Sequence, residues 1–133
     1  MQLDNLLYAL VQVIHNFGAA AAVGLPIAVV RLRLSPDFVQ KLIWVGLAAW
    51  LAQTASGVGF GAVSYFMLGE LPEIHNLAFA ALVVKILCAA LAIALFVALL
   101  LRPAVRTANS IWFALAGCGS TALLCAAFLR WFS

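Results

Sequence analysis

Four stretches of more than twenty mostly apolar residues divide this chain, at 6–30, 42–68, 77–101 and 111–132, and the breaks between them are short. A helix needs about 20 apolar residues to cross the hydrocarbon core of a bilayer. Inside lipid every backbone N–H and C=O has to be satisfied within the protein, which a helix does on its own. The pattern therefore predicts four transmembrane helices and no sheet. Short connections favour antiparallel neighbours, so the expected fold is all-α, a single domain over 1–133 built as an up-down-up-down four-helix bundle.

Composition agrees with a lipid environment. The chain is 68% hydrophobic and 8% charged, whereas a soluble domain carries about 25% charged residues. The net charge of +3 comes with no basic stripe interleaved with aromatics, so nucleic acid is not a partner this sequence points to. The bilayer is. The opening MQLDNLLYALVQV has Asp4 and no Lys or Arg. It lacks the positive region of a cleavable signal, and the first hydrophobic segment is expected to stay as a span.

The breaks carry turn chemistry. Ser35-Pro36-Asp37 separates the first two segments, and Gly69-Glu70-Leu71-Pro72-Glu73 the next two. Arg102-Pro103 ends the third, because proline removes a donor and clashes with the preceding turn. Arg31, Arg33 and Lys41 follow the first segment, and Arg102 and Arg106 follow the third. Under the positive-inside rule these place loops 31–41 and 102–110 in the cytoplasm. Both termini and the acidic 69–76 loop then face the periplasm, if the membrane is a bacterial inner membrane. Arg130 is the one basic residue on the wrong side.

Small residues mark where helices can approach. Gly57 and Gly61 form a GxxxG pair with Gly59 between them, and Gly18 and Ala22 form a similar pair. Close packing inside the bundle is the expected use, dimerisation is the alternative, and a gap left by such residues can also admit a flat cofactor. Ile14-His15-Asn16-Phe17 echoes Ile74-His75-Asn76-Leu77 at an offset of 60, which is a remnant of duplication or chance. Cys88, Cys118 and Cys125 lie in apolar segments without a CxxC, so they read as small apolar residues.

Against this scaffold two ionisable residues stand out. An ionisable side chain within a span is expensive and marks a functional site by default. His15 lies 16 residues before Arg31, about 24 Å at the helical rise. Lys85 lies 17 residues before Arg102, about 25 Å by the same rise. Both therefore fall at one level. The same counting from Lys41 and Arg106 brings Gln53, Thr54, Ser56, Ser120 and Thr121 near it, and so predicts a polar layer to which every helix contributes. Gln12 and Asn16 flank His15 at helical spacings, and Gln12 is placed to fix its tautomer.

Imidazole is a common axial ligand of haem iron, supplied in a bundle by side chains on facing helices. Lysine can take the other side as a neutral amine, the form that loss of water favours, or can pair as a cation with a propionate. His75 is 27 residues before Arg102, about 40 Å, so a bis-histidine haem with His15 misses by about 15 Å. His75 instead suits a contact at the outer mouth beside Glu73. Copper(I) would call for soft ligands. The chain offers Met1, Met67 and the Cys88–Cys118 pair, whose levels let them meet across the third and fourth segments.

Two motifs carry a resemblance. His15-Asn16-Phe17-Gly18 runs on to Gly24 and a basic end at Arg31, and Leu82-Val83-Val84-Lys85-Ile86-Leu87 runs on to Arg102-Pro103. This resembles the CopD-like membrane domain and, more distantly, the HemJ protoporphyrinogen oxidases. The second likeness implies a porphyrin or haem site at His15 and Lys85, and the first implies copper handling at an inner membrane. The leading expectation is an integral membrane haem b protein with no catalytic residue of its own. It would transfer electrons or form the membrane subunit of a redox complex, with a membrane or periplasmic redox protein as partner. The cofactor-binding residues expected are His15, Lys85, His75, Gln12 and Asn16, with the iron on His15 and, as second choice, His75. The alternatives are a copper-handling protein, a HemJ-like oxidase and a cofactor-free accessory subunit.

Overall fold

The computed structural model describes residues 2–68 and 76–132. Helix α1 spans Gln2–Arg31, α2 Pro36–Leu68, α3 Asn76–Leu101 and α4 Asn109–Phe132, with a short 3₁₀ turn at Pro103–Val105. All four helices are long and apolar enough to cross a membrane. The protein is a multi-pass helical membrane protein, and its described residues contain no strand. At mid-span Phe17, Leu87 and Leu124 are 76%, 63% and 64% exposed, as side chains facing lipid are.

Helix α2 begins at Pro36, six residues before the apolar segment that announces it. The Ser35 hydroxyl accepts from the Phe38 N–H at 3.4 Å, while the Ser35 carbonyl accepts the first helical bond from Val39. Proline is preorganised for the first helical position, and Asp37 complements the positive end of the helix dipole. Ser35-Pro36-Asp37 is thus a helix start rather than a loop. A hydropathy window misses it because the first turns of α2 are polar and lie outside the apolar span.

The helices form a closed ring in which α1 packs on α2 and α4, and α3 on α2 and α4. His15 meets Ser56, and Tyr8 stacks on Phe60, so α1 and α2 run antiparallel. Gly119 faces Ala22, and Phe96 faces Trp112, so α4 opposes both α1 and α3. That leaves α1 and α3 parallel on one diagonal. The well-packed core lies toward the basic end and holds Ile43, Trp50, Phe96, Leu99, Trp112 and Leu115. The Phe96 and Trp112 rings meet edge to face with centroids 6.4 Å apart. Phe96 lies directly over Gly46, where a methyl would run into the ring.

Arg106 ties the basic end together. Its guanidinium donates to the Leu99 carbonyl at 2.8 Å, to the Leu100 carbonyl at 3.3 Å and to Gln40 Oε1 on α2. It thereby satisfies carbonyls that the end of α3 leaves without helical donors. Trp112 Nε1 donates to the Arg106 carbonyl at 2.8 Å. Hydrogen bonds from a charged donor contribute about 1.5–3 kcal/mol each in favourable settings. Arg106→Ala is expected to cost about 3 kcal/mol in a detergent unfolding titration, and Arg106→Lys to recover only part of it, since an ammonium lacks the planar fork.

The glycines divide differently from expectation. Gly18 and Ala22 do pack inside the bundle, on α2 and α4 respectively. Gly57 and Gly61 do not, because among the described residues a methyl on either would meet no atom within 4 Å. Between them, a methyl on Gly59 would meet only Val11, at 3.9 Å.

Candidate functional site

His15 on α1 faces Lys85 on α3 across the bundle, with Lys85 Nζ 3.4 Å from His15 Nε2. The two ionisable residues that the sequence sets at one level are therefore neighbours. Helix α2 supplies the third member, as Ser56 Oγ lies 2.8 Å from His15 Nδ1. The Ser56 hydroxyl also faces the carbonyls of Ala52 at 2.7 Å and Gln53 at 3.1 Å. A hydroxyl has one proton and two lone pairs. With that proton committed to a backbone carbonyl, Ser56 can only accept from the imidazole. His15 then carries its proton on Nδ1, and its Nε2 lone pair faces Lys85. The two donors to the bundle centre are this lone pair and the Lys85 nitrogen.

The depth of His15 is held from α2. Gln53 donates its side-chain amide to the His15 carbonyl, and Gly18 makes room for it. A methyl at Gly18 would lie 2.8 Å from Gln53 Nε2 and 3.3 Å from the Ala49 carbonyl. Gln53 and Ser56 are both buried, whereas His15 and Lys85 are half-buried. Phe60 covers the imidazole edge to face with centroids 5.6 Å apart, and Tyr8 stacks on Phe60. The pair is thus walled on its α2 side by aromatic surface.

Three expectations change. Gln12 does not bond the His15 ring. It is exposed and donates to Asn16 Oδ1 at 2.8 Å, while the ring nitrogen it was to hold is taken by Ser56. A partner on the same helix competes poorly with one on the facing helix, toward which the ring points. Asn16 is also exposed and lines an open groove of about 490 Å³ between α1 and α4, together with Ala19, Ala20, Val23, Gly24 and Leu123. Ser120 and Thr121 are exposed as well. On α4 the inward positions near this level belong to Cys118 and Ala122 instead. The polar layer is therefore built by α1, α2 and α3. His75 lies outside the described residues. Cys88 and Cys118 come near one another across α3 and α4, and both are free.

No family model, curated protein or solved structure matches this chain. The reading of the site rests on its geometry.

An iron porphyrin asks for nitrogen donors on opposite faces of the ring. His15 Nε2 and Lys85 Nζ are the nitrogens that could serve such a group, and they stand in direct contact at 3.4 Å. Among the described residues no three His, Cys, Asp or Glu side chains converge as a metal-binding group.

Proposed function

We propose that this chain is an integral membrane haem b protein in which His15 Nε2 and Lys85 Nζ would hold the iron. The observation that carries this reading is the facing of the two nitrogens at 3.4 Å inside an apolar bundle. Ser56 fixes the imidazole tautomer that leaves Nε2 free to ligate, and Gln53 fixes the level of His15. Haem, when bound, supplies one-electron chemistry within the membrane. The residues of the chain would orient it, and His15 and Lys85 would supply nitrogen ligands to it. The basic loops 31–41 and 102–110 support an orientation in which they are cytoplasmic, the site lies in the outer half of a bacterial inner membrane and both termini are periplasmic. From there electrons can pass to a membrane or periplasmic redox partner.

The test is the visible spectrum of the protein purified in mild detergent from haem-replete cells, oxidised and then dithionite-reduced. A Soret band with sharp α and β bands on reduction is expected. A flat spectrum rejects the reading. A second reading, copper(I) handling as in the CopD-like domain, is favoured by the nearness of Cys88 and Cys118 alone. It predicts copper in the purified protein that Cys88→Ser removes.

A further inference from the structure

The α1–α4 seam carries two hollows on its outer side. One, of about 490 Å³, is lined by Asn16, Ala20, Gly24 and Leu123 among others. The second, of about 160 Å³, is lined by Ile27, Val30, Arg31, Phe113 and Ala116. On α1 the residues Asn16, Ala20, Gly24, Ile27 and Arg31 follow at steps of four, four, three and four, which keeps them on one helix face. Phe113, Ala116 and Leu123 share a face of α4 in the same way. Gly119 lies against Ala22, and with the helices antiparallel this sets Ala116 level with Leu25 and Leu123 level with Gly18. The two hollows are therefore parts of one furrow, which follows the seam from Arg31 to Asn16 for about 22 Å.

The furrow has a simple cause. At its floor α1 and α4 are pressed backbone to backbone, and Ala20 and Gly24 on its flank are too short to fill the valley above. Ala20, Gly24 and Leu123 are exposed, so the valley opens to lipid. Its two ends say what it takes. At the basic end stands Arg31, exposed, with no hydrogen bond or ion pair of its side chain among the described residues. Arg106, by contrast, is taken up by the Leu99 and Leu100 carbonyls and Gln40. The far end closes at Asn16, which accepts from Gln12. Half of a hydrocarbon core measures about 15 Å, so the furrow is long enough for a whole acyl chain of one leaflet. An apolar tract with an unpaired cation at its interfacial end complements a chain that carries a phosphate. It does not complement a second copy of itself. A two-fold pair brings the same patch of both copies together, and here that would set Arg31 against Arg31.

We propose that the α1–α4 furrow holds one anionic phospholipid from the leaflet at the basic end, with its acyl chain along Ala20, Gly24 and Ile27 and its phosphate on Arg31. Basic residues between membrane helices at that level are suited to lipid headgroups. The site goes beyond the haem reading and does not depend on it, since none of its residues is one of the two nitrogen donors.

Photocrosslinking resolved by peptide tests this. The unmodified protein is reconstituted in phosphatidylcholine vesicles that carry a minor share of either phosphatidylglycerol or phosphatidylcholine with a diazirine in one acyl chain. Phosphatidylglycerol adducts are expected to concentrate on 16–31 and 113–123. There they should exceed the phosphatidylcholine adducts about fivefold, the effect of one basic residue beside an anionic headgroup. Arg31→Gln is expected to remove that excess. Arg33→Gln, which changes a cation outside the furrow, is expected to keep it. Adducts spread evenly over all four helices overturn the proposal. So does an excess that survives Arg31→Gln, or one that Arg33→Gln lowers as much, which would mark a diffuse attraction of the basic end. A dimer cross-linked in the same vesicles through Gly24→Cys, but not through the lipid-facing Leu87→Cys, would give the furrow to a second copy and overturn it too. The haem spectrum is read separately, so a failure of either reading leaves the other to stand on its own result.

Discussion

His15→Ala is expected to leave purification with no Soret band and an unchanged helical fold. On the haem reading the imidazole would be the axial ligand, and among the described residues it is the only imidazole, its Nε2 3.4 Å from Lys85 Nζ. Removing it leaves Lys85, a ligand only as the free amine, to hold iron alone. The fold is expected to survive because His15 is half-buried and the α1–α2 seam keeps Gly18, Ala49 and Gln53 in contact. Ser56→Ala should do something different. It keeps the ligand but removes the acceptor that orients it, and losses of such supporting groups typically cost 10–100-fold in metal affinity. Haem should therefore bind to Ser56→Ala but wash out on dilution or gel filtration. Lys85→Ala should keep a Soret band and lose the sharp reduced α band if its amine is the sixth ligand. Identical spectra for Lys85→Ala and the unmodified protein would remove Lys85 from the iron. A haem spectrum in His15→Ala would remove the site from α1 altogether.

The spans were legible because lipid imposes one constraint over twenty residues at a time, and no local accident can mask it. Where the protein leaves lipid, that signal stops. The first turns of α2 are polar, and their helix comes from Ser35, Pro36 and Asp37 acting as a cap, which reads in sequence as a break. Residue counting from the basic ends worked for His15 and Lys85 because both helices rise from their basic ends at the same 1.5 Å per residue. Counting gives level and nothing about rotation. Ser56 and Ser120 were set at comparable levels, yet the first faces the imidazole and the second is exposed.

Rotation is decided by which face each helix presents to its neighbours, and small residues are an ambiguous guide to that. GxxxG spacing at Gly57 and Gly61 looks like a packing motif, while in the fold a methyl on either would meet no described atom within 4 Å. Gly18 and Gly119 carry no such pattern with each other, yet each is pressed against a neighbouring helix. The signal that could have found Ser56 is its spacing from Gln53. The two lie three residues apart on one helix face, both polar within a span, and a buried polar side chain in a membrane needs a partner on another helix.

Gly119→Val is expected to be the most damaging single change in the scaffold. Pro26 sits fully buried inside α1 and has no N–H, so the Ala22 carbonyl four residues earlier loses its helical donor. Gly119 of α4 lies against that freed oxygen, close enough that a methyl on it would stand 2.7 Å from the Ala22 oxygen and 3.1 Å from its carbon. A glycine Cα–H can approach a carbonyl here, a contact worth about 0.5–1 kcal/mol. No side chain can, and the obstacle is backbone, which cannot rotate away. Overpacking in a well-packed interface costs about 1–3 kcal/mol and more when backbone has to move. Valine, with two further methyls and Val23 only 3.2 Å from the first, should reach the top of that range and part α1 from α4. Gly117→Ala is the control on the same helix. Among the described residues a methyl there meets nothing within 4 Å, and alanine favours a helix over glycine by about 1 kcal/mol. Unfolding in detergent should therefore separate the two changes in sign, with 117 neutral or stabilised and 119 strongly destabilised. Equal, small effects would mean that α1 and α4 do not touch at Ala22, and the ring of helices would have to be redrawn.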